Sequence, residues 1–173
     1  MTSPLPVLLP HVPELQVERW FKTDAPLSLD LLRGKVVALH AFQMLCPACV
    51  AHGLPQAQRM HALFGGRGLQ VIGLHTVFEH HEVMEEAQAL QAFVHEYGIS
   101  FPVAADKPQG RIPTTMRALE LQGTPSLLLV DKQGRLRMHQ FGRVDDMVAG
   151  AAIGELLQEP EDDCSADGCR VNR

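Results

Sequence analysis

The sequence predicts an α/β fold with a central mixed sheet flanked by helices, and three observations carry that expectation. Residues 35–42 (KVVALHAF), 69–75 (LQVIGLH) and 126–131 (SLLLVD) are short, nearly unbroken apolar runs bounded by turn residues, as in strands buried on both faces. Helical spacing separates the first two, with Leu54, Ala57, His61 and Phe64 three or four apart. It returns over 82–97, where Val83, Ala87, Leu90, Val94 and Tyr97 share one face. The third run meets the turn Asp131-Lys132-Gln133-Gly134 and then 135–141 (RLRMHQF), which reads as an antiparallel hairpin added to parallel strands joined by right-handed crossovers.

The flanking elements follow. A final helix over 144–158 is expected to bury Val148, Ala152 and Leu156, with Met147 and Ala151 beside them, and to stop before Pro160. At the other end, 15–21 reads as a strand and 27–32 as a helical turn, an extension covering one sheet edge. With 173 residues there is room for one core, so the expected division is one domain over 1–158 and an acidic, mobile tail over 159–173 (EPEDDCSADGCRVNR).

Composition narrows the function classes. Hydrophobic residues at 46% and charged residues at 20% suit a packed globular chain. A net charge of −5 argues against a nucleic-acid or anionic-membrane partner, since both select clustered positive charge. No stretch approaches the ~20 apolar residues needed to cross a bilayer. Residues 4–10 (PLPVLLP) lack the basic start and cleavage site of an export leader, so the chain is expected to be cytoplasmic. Gly65-Gly66-Arg67-Gly68 precedes a strand instead of following one and reads as a turn, not a phosphate loop; no cofactor is expected.

Four cysteines fall into two close pairs, Cys46/Cys49 and Cys164/Cys169. Cys46-Pro47-Ala48-Cys49 lies between the end of the first central strand and the following helix, at the carboxyl edge where open α/β sheets gather their chemistry. A sulfur at a helix start faces unpaired backbone N–H groups, which favour thiolate, so Cys46 is the expected nucleophile. Cys49, one turn on and more enclosed, is the resolving thiol. The same spacing also supplies half of a zinc site, which would need two further ligands.

Strand KVVALHAF, the Cys46-Pro-Ala-Cys49 motif, Gly123-Thr124-Pro125 before a strand, a hairpin and a last helix together resemble the thioredoxin-like superfamily. The Cys-Pro-x-Cys motif and a strand-helix insertion after His75 most resemble its TlpA-like disulfide reductases, or redoxin-domain proteins, over about residues 12–158. The resemblance implies a thiol–disulfide oxidoreductase with Cys46 as nucleophile, Cys49 as resolving cysteine and a cis Pro125 facing the dithiol. It also implies a disulfide-containing protein substrate and an upstream dithiol reductant. Leu45, Pro47, Ala48, Thr124 and His75 are the expected substrate contacts, no metal is expected, and a homodimer is left open.

Three positions depart from that pattern. Leu45 replaces the aromatic residue usual before the first cysteine. His40 stands where relatives carry a buried acid or amide; its ordinary pKa near 6.5 would suit it to accept a proton as Cys49 attacks, and the plainer alternative is a core histidine bonded to a backbone carbonyl. His52 stands where a glutamate is common.

Two other readings fit parts of the sequence. Cys46/Cys49 with His75, Glu79, His80, His81 and Glu82 would suit copper delivery, although copper-carrying relatives space their cysteines by three residues. A peroxiredoxin-like peroxidase would want a threonine at Gln43 and a proline at Leu39. A module that binds partners without catalysis is a further class. Finally, Cys164 and Cys169 are expected to serve as a second redox pair exchanging disulfides with Cys46–Cys49.

Overall fold

In the computed structural model, which describes residues 10–161, six strands form one sheet in the order β1-β4-β3-β2-β5-β6. They are β1 (Val17–Phe21), β2 (Val36–Phe42), β3 (Leu69–His75), β4 (Val103–Asp106), β5 (Ser126–Val130) and β6 (Leu136–Phe141). The central trio β2, β3 and β4 is parallel, whereas β5, β6 and β1 run antiparallel to their neighbours. The helices are α1 (Leu54–Phe64), α2 (His81–Met84), α3 (Ala87–Glu96), α4 (Thr114–Ala118) and α5 (Asp146–Gln158). Among the described residues no helix is long and apolar enough to cross a membrane.

Both faces of the sheet are covered, which is why its central strands read as unbroken apolar runs. On one face Val36, Ala38 and Phe42 of β2 join Val71, Leu127 and Leu129 beneath Ala57 and Met60 of α1, Leu90 and Val94 of α3, and Ile153 and Leu156 of α5. On the other, Val37, Leu39 and Ala41 join Ile72, Leu74 and Leu128 beneath Leu29, Leu32, Met116 and Leu119. Each Leu, Ile or Phe fully buried this way contributes about 1.5–3 kcal/mol. Strand alternation places His40 on the first face, between Ala38 and Phe42.

The hairpin turn is built around Asp131. Its carboxylate accepts from the backbone N–H groups of Gln133 and Arg135 at 3.0 and 2.9 Å and from the Arg135 side chain at 2.7 Å. Gly134 has φ +81°, and the Arg33 guanidinium fills the space its Cβ would take, so glycine is required there.

Several sequence expectations need correction. The helix expected over 82–97 is two helices, because Glu86 is extended (φ −73°, ψ 121°) between them. The break shifts the buried face: Met84 is buried in place of Val83, which is exposed, as is Tyr97. The last helix starts at Asp146, capped by the Asp145 carboxylate accepting from Met147 N–H at 2.8 Å. Ala149, Ile153 and Leu156 face the core, leaving Val148 and Met147 in solvent. Strand β4 and helix α4 follow His75, where a strand-helix insertion is expected but without residue bounds. Asp106 at the end of β4 joins them, accepting from the Thr115 and Met116 N–H groups at 2.8 Å each and from Thr76 Oγ1 at 3.0 Å. The N-terminal strand lies at a sheet edge, paired to β4.

Candidate active site

The two cysteines owe their places to the chain leaving β2. After Phe42, Cys46 N–H bonds back to Gln43 C=O at 3.2 Å, turning the chain across the carboxyl edge of the sheet. Pro47 then opens the helix, where its missing N–H costs nothing because first-turn donors have no helical acceptor. Cys46 and Cys49 are joined by a disulfide with a Cα–Cα separation of 5.2 Å. Their exposure differs: Cys46 is half-buried and Cys49 wholly buried. The Cys49 N–H points at Cys46 Sγ at 3.2 Å, so negative charge on that sulfur meets a fixed donor at the helix start. Attack from outside can reach Cys46 alone of the two.

Beyond Cys49 the helix widens. Residues Cys49–Gly53 form a π-helical turn, and Leu54 N–H reaches Cys49 C=O five residues back. The widened turn carries Gly53 directly over His40, whose Cε1 and Nε2 lie 2.5 Å from where a Gly53 Cβ would stand. Pro125, after a cis Thr124–Pro125 bond, packs against the same spot. His40, Gly53 and Pro125 line a cavity of about 270 Å³ that also meets His52, Arg59, Arg143 and Asp146. At 2% exposure His40 is pushed by burial to a pKa of about 4, its own backbone opposing, and its Nδ1 has no hydrogen-bond partner among the described residues. It is therefore a neutral imidazole at pH 7, with a pKa below the ordinary value from which proton transfer was expected.

A groove of about 320 Å³ has Cys46, Leu45 and Pro47 on one bank and Gly123, Thr124 and Phe141 on the other. Thr124 C=O is 3.6 Å from Cys46 Sγ. Ala48 is exposed beside the dithiol. Of the expected contacts, then, Leu45, Pro47 and Thr124 line one groove with Cys46. His75 does not. It is buried against Phe42, ring centroids 5.3 Å apart, and lines a separate cavity of about 120 Å³ with Met84, Glu85 and Asp106. Burial lowers its pKa to about 4 also.

Gln43, which stands where a peroxidase would want a threonine, has a structural duty: its side-chain carbonyl accepts from Phe78 N–H at 3.3 Å and ties the loop after β3 to the groove. Phe141 was missed as well; the signal was an aromatic residue ending the strand that pairs with the one after Pro125. Glu79 and His80 line the groove, but among the described residues no three His, Cys, Asp or Glu side chains converge as metal ligands would. Cys164 and Cys169 lie outside the described residues.

Comparisons with known proteins agree with this geometry. The thiol-disulfide oxidoreductase ResA of Halalkalibacterium halodurans is 26% identical over 123 residues, covering 70% of this chain and 63% of that protein. Its counterpart in Bacillus anthracis is 29% identical over 110 residues, or 64% and 57%. The chain thus spans less than two thirds of the length of these curated relatives. Among solved structures, a thiol-disulfide isomerase from Corynebacterium glutamicum is 52% identical with a TM-score of 0.81, covering 86% of this chain and 97% of that one. A thioredoxin-like superfamily protein is 53% identical with a TM-score of 0.85, covering 87% and 98%. The AhpC/TSA family model matches residues 10–139, most of the chain, and the protein is a member of that family with a thioredoxin-like fold.

Proposed function

We propose that the chain is a thiol–disulfide oxidoreductase acting on protein disulfides through Cys46 and Cys49. The observation that carries this reading is the unequal disulfide: one cysteine half-buried and lining a groove at a helix start, the other wholly buried one turn on. In the reduced protein the Cys46 thiolate attacks a substrate S–S bond, forming a Cys46–substrate disulfide and releasing one substrate thiolate. Cys49, deprotonated, then attacks Cys46 Sγ, closing the internal disulfide and releasing the second substrate thiolate. Two electrons pass from dithiol to substrate, and the two thiol protons end on the substrate sulfurs. An upstream dithiol protein returns Cys46–Cys49 to the reduced state by the same exchange in reverse.

His40 has a place in the second step. Neutral at pH 7 under the helix that carries Cys49, His40 is a proton acceptor for this step only against a pKa lowered to about 4, so a proton it takes from Cys49 passes straight to the departing substrate thiolate. The names of the ResA proteins and of the Corynebacterium isomerase support the reaction class.

The test is reduction of insulin disulfides. Cys46→Ser should abolish it, whereas Cys49→Ser should retain the first attack and accumulate mixed disulfides visible on non-reducing gels. A wild type that reduces insulin no faster than Cys46→Ser would leave a non-catalytic binding module as the better reading.

A further inference from the structure

Leu45 leaves the first bank of the groove without the bulky ring that the motif resemblance leads one to expect there. The structure places a ring on the opposite bank. Phe141 ends β6, and its register partner is Ser126, the residue after Pro125, so the antiparallel pairing sets its side chain beside the loop through Gly123 and Thr124. An ideal Cβ on Gly123 would lie 2.9 Å from Phe141 Cε2 and 3.3 Å from Cζ. Glycine at 123 is what allows ring and loop to occupy the same place. Phe141 is 47% exposed and Leu45 57%, and half-buried Phe78 and buried Met84 line the same groove. Exposed apolar side chains gathered around a reactive atom mark a contact surface, and aromatic ones commonly anchor it. Glu79 is the acidic group on this groove, so its charge disfavours an acidic occupant.

We propose that Phe141 is a specificity-determining residue of this site, selecting extended peptides that carry an apolar side chain next to the half-cystine attacked by Cys46, and discriminating against acidic ones. The proposal rests on the oxidoreductase reading and names its substrate class. With Cys46 bonded to the substrate sulfur, the neighbouring substrate side chain lies between Leu45 and Phe141, where its apolar surface leaves water. Electrons and protons follow the exchange already described; Phe141 changes which disulfide is reached, not the chemistry.

The experiment is single-turnover reduction of synthetic peptide disulfides by the reduced protein. The peptides differ in one residue beside the half-cystine, Leu, Gly or Asp, and reactions are quenched in acid and resolved by chromatography. The wild type should reduce the Leu peptide about tenfold faster than the Gly peptide, the scale on which an apolar pocket discriminates, and the Asp peptide more slowly than either. Phe141→Ala should compress the Leu/Gly ratio to within about twofold. Gly123→Ala, whose methyl displaces the ring while position 141 is intact, should compress it too, and Phe141→Leu should keep most of it. A wild-type ratio near one, or a ratio unchanged in Phe141→Ala, overturns the proposal; so does a parallel fall for all three peptides, since that marks general damage. If the wild type reduces neither peptides nor insulin, the oxidoreductase reading itself fails.

Discussion

Gly53→Ala is a test of how the helix is seated over the site. Inside an ordinary helix this change stabilises by about 1 kcal/mol, and Gly53, at φ −64° and ψ −54°, has a conformation alanine adopts without strain. Here the new methyl would stand 2.5 Å from His40 Cε1 and Nε2 and 3.2 Å from Pro125 Cβ. Since carbon contacts are favourable at about 3.5–4.0 Å, roughly 1 Å of movement must come from a ring that is almost wholly buried. Overpacking of that kind costs about 1–3 kcal/mol. The net expectation is a loss of about 0–2 kcal/mol in place of a gain. With the ring removed in His40→Ala, the same methyl should recover its ordinary gain, giving a coupling of about 1–3 kcal/mol between the two positions. Urea unfolding of wild type, both single variants and the double variant at pH 7, disulfide intact, measures it. Equal stabilisation by Gly53→Ala in both backgrounds would refute the seating argument.

Two further outcomes concern buried charge. His40 and His75 have native pKa values of about 4 against an ordinary 6.5. As pH falls below 6.5 the unfolded chain takes up these protons first, so stability should drop between pH 6.5 and 4 by up to about 1.4 kcal/mol per pH unit for each histidine. Asp106, raised by burial despite its hydrogen bonds, adds a slope of opposite sign above its ordinary pKa. Urea midpoints at pH 7, 6 and 5 should therefore converge in a His40→Gln/His75→Gln variant, and slopes equal to wild type would exclude both groups as the cause. For Asp131, burial pushes the carboxyl up, but the Arg135 N–H, the Arg135 side chain and Arg137 together hold it below its usual value. Its contribution is present above the ordinary carboxylate pKa and lost as pH falls through the lowered native one. Asp131→Asn should cost about 1–3 kcal/mol at pH 7 by thermal or urea unfolding, with less effect in acid.

What the sequence made legible had local causes. The dithiol's place followed from an apolar run ending just before a cysteine and a proline fit for a first helical turn, both short-range features. The hairpin was equally readable, because Asp131 and Gly134 act within a few residues of each other. The bounds and faces that escaped notice depend on distant partners. Val103–Asp106 is too short for its alternation to register, and it becomes a strand because β1 and β3 pair with both its edges. The helix break at Glu86 and the rotated face of α5 depend on which side chains the sheet accepts, Met84 over Val83 and Ala149 over Val148. Periodicity alone cannot choose between adjacent faces that are both apolar.

His40 marks that boundary most clearly. Its distance from Cys46 along the chain was enough to single it out, and strand alternation aimed it at the helix that carries Cys49. An imidazole is bulkier than the acid or amide the resemblance leads one to expect there. Its room comes from two features nine to thirteen residues onward, a helical turn that closes over five residues instead of four and a glycine on the side facing the sheet. Neither has a sequence signature of its own, for a lone glycine near a helix start reads as a small loss of propensity. Taken with the ring, they become one arrangement: the residue at 53 has no side chain because the residue at 40 occupies its space. The helix can therefore lie close over His40 and keep Cys49 buried, while Cys46, one turn nearer the helix start, stays open to the groove.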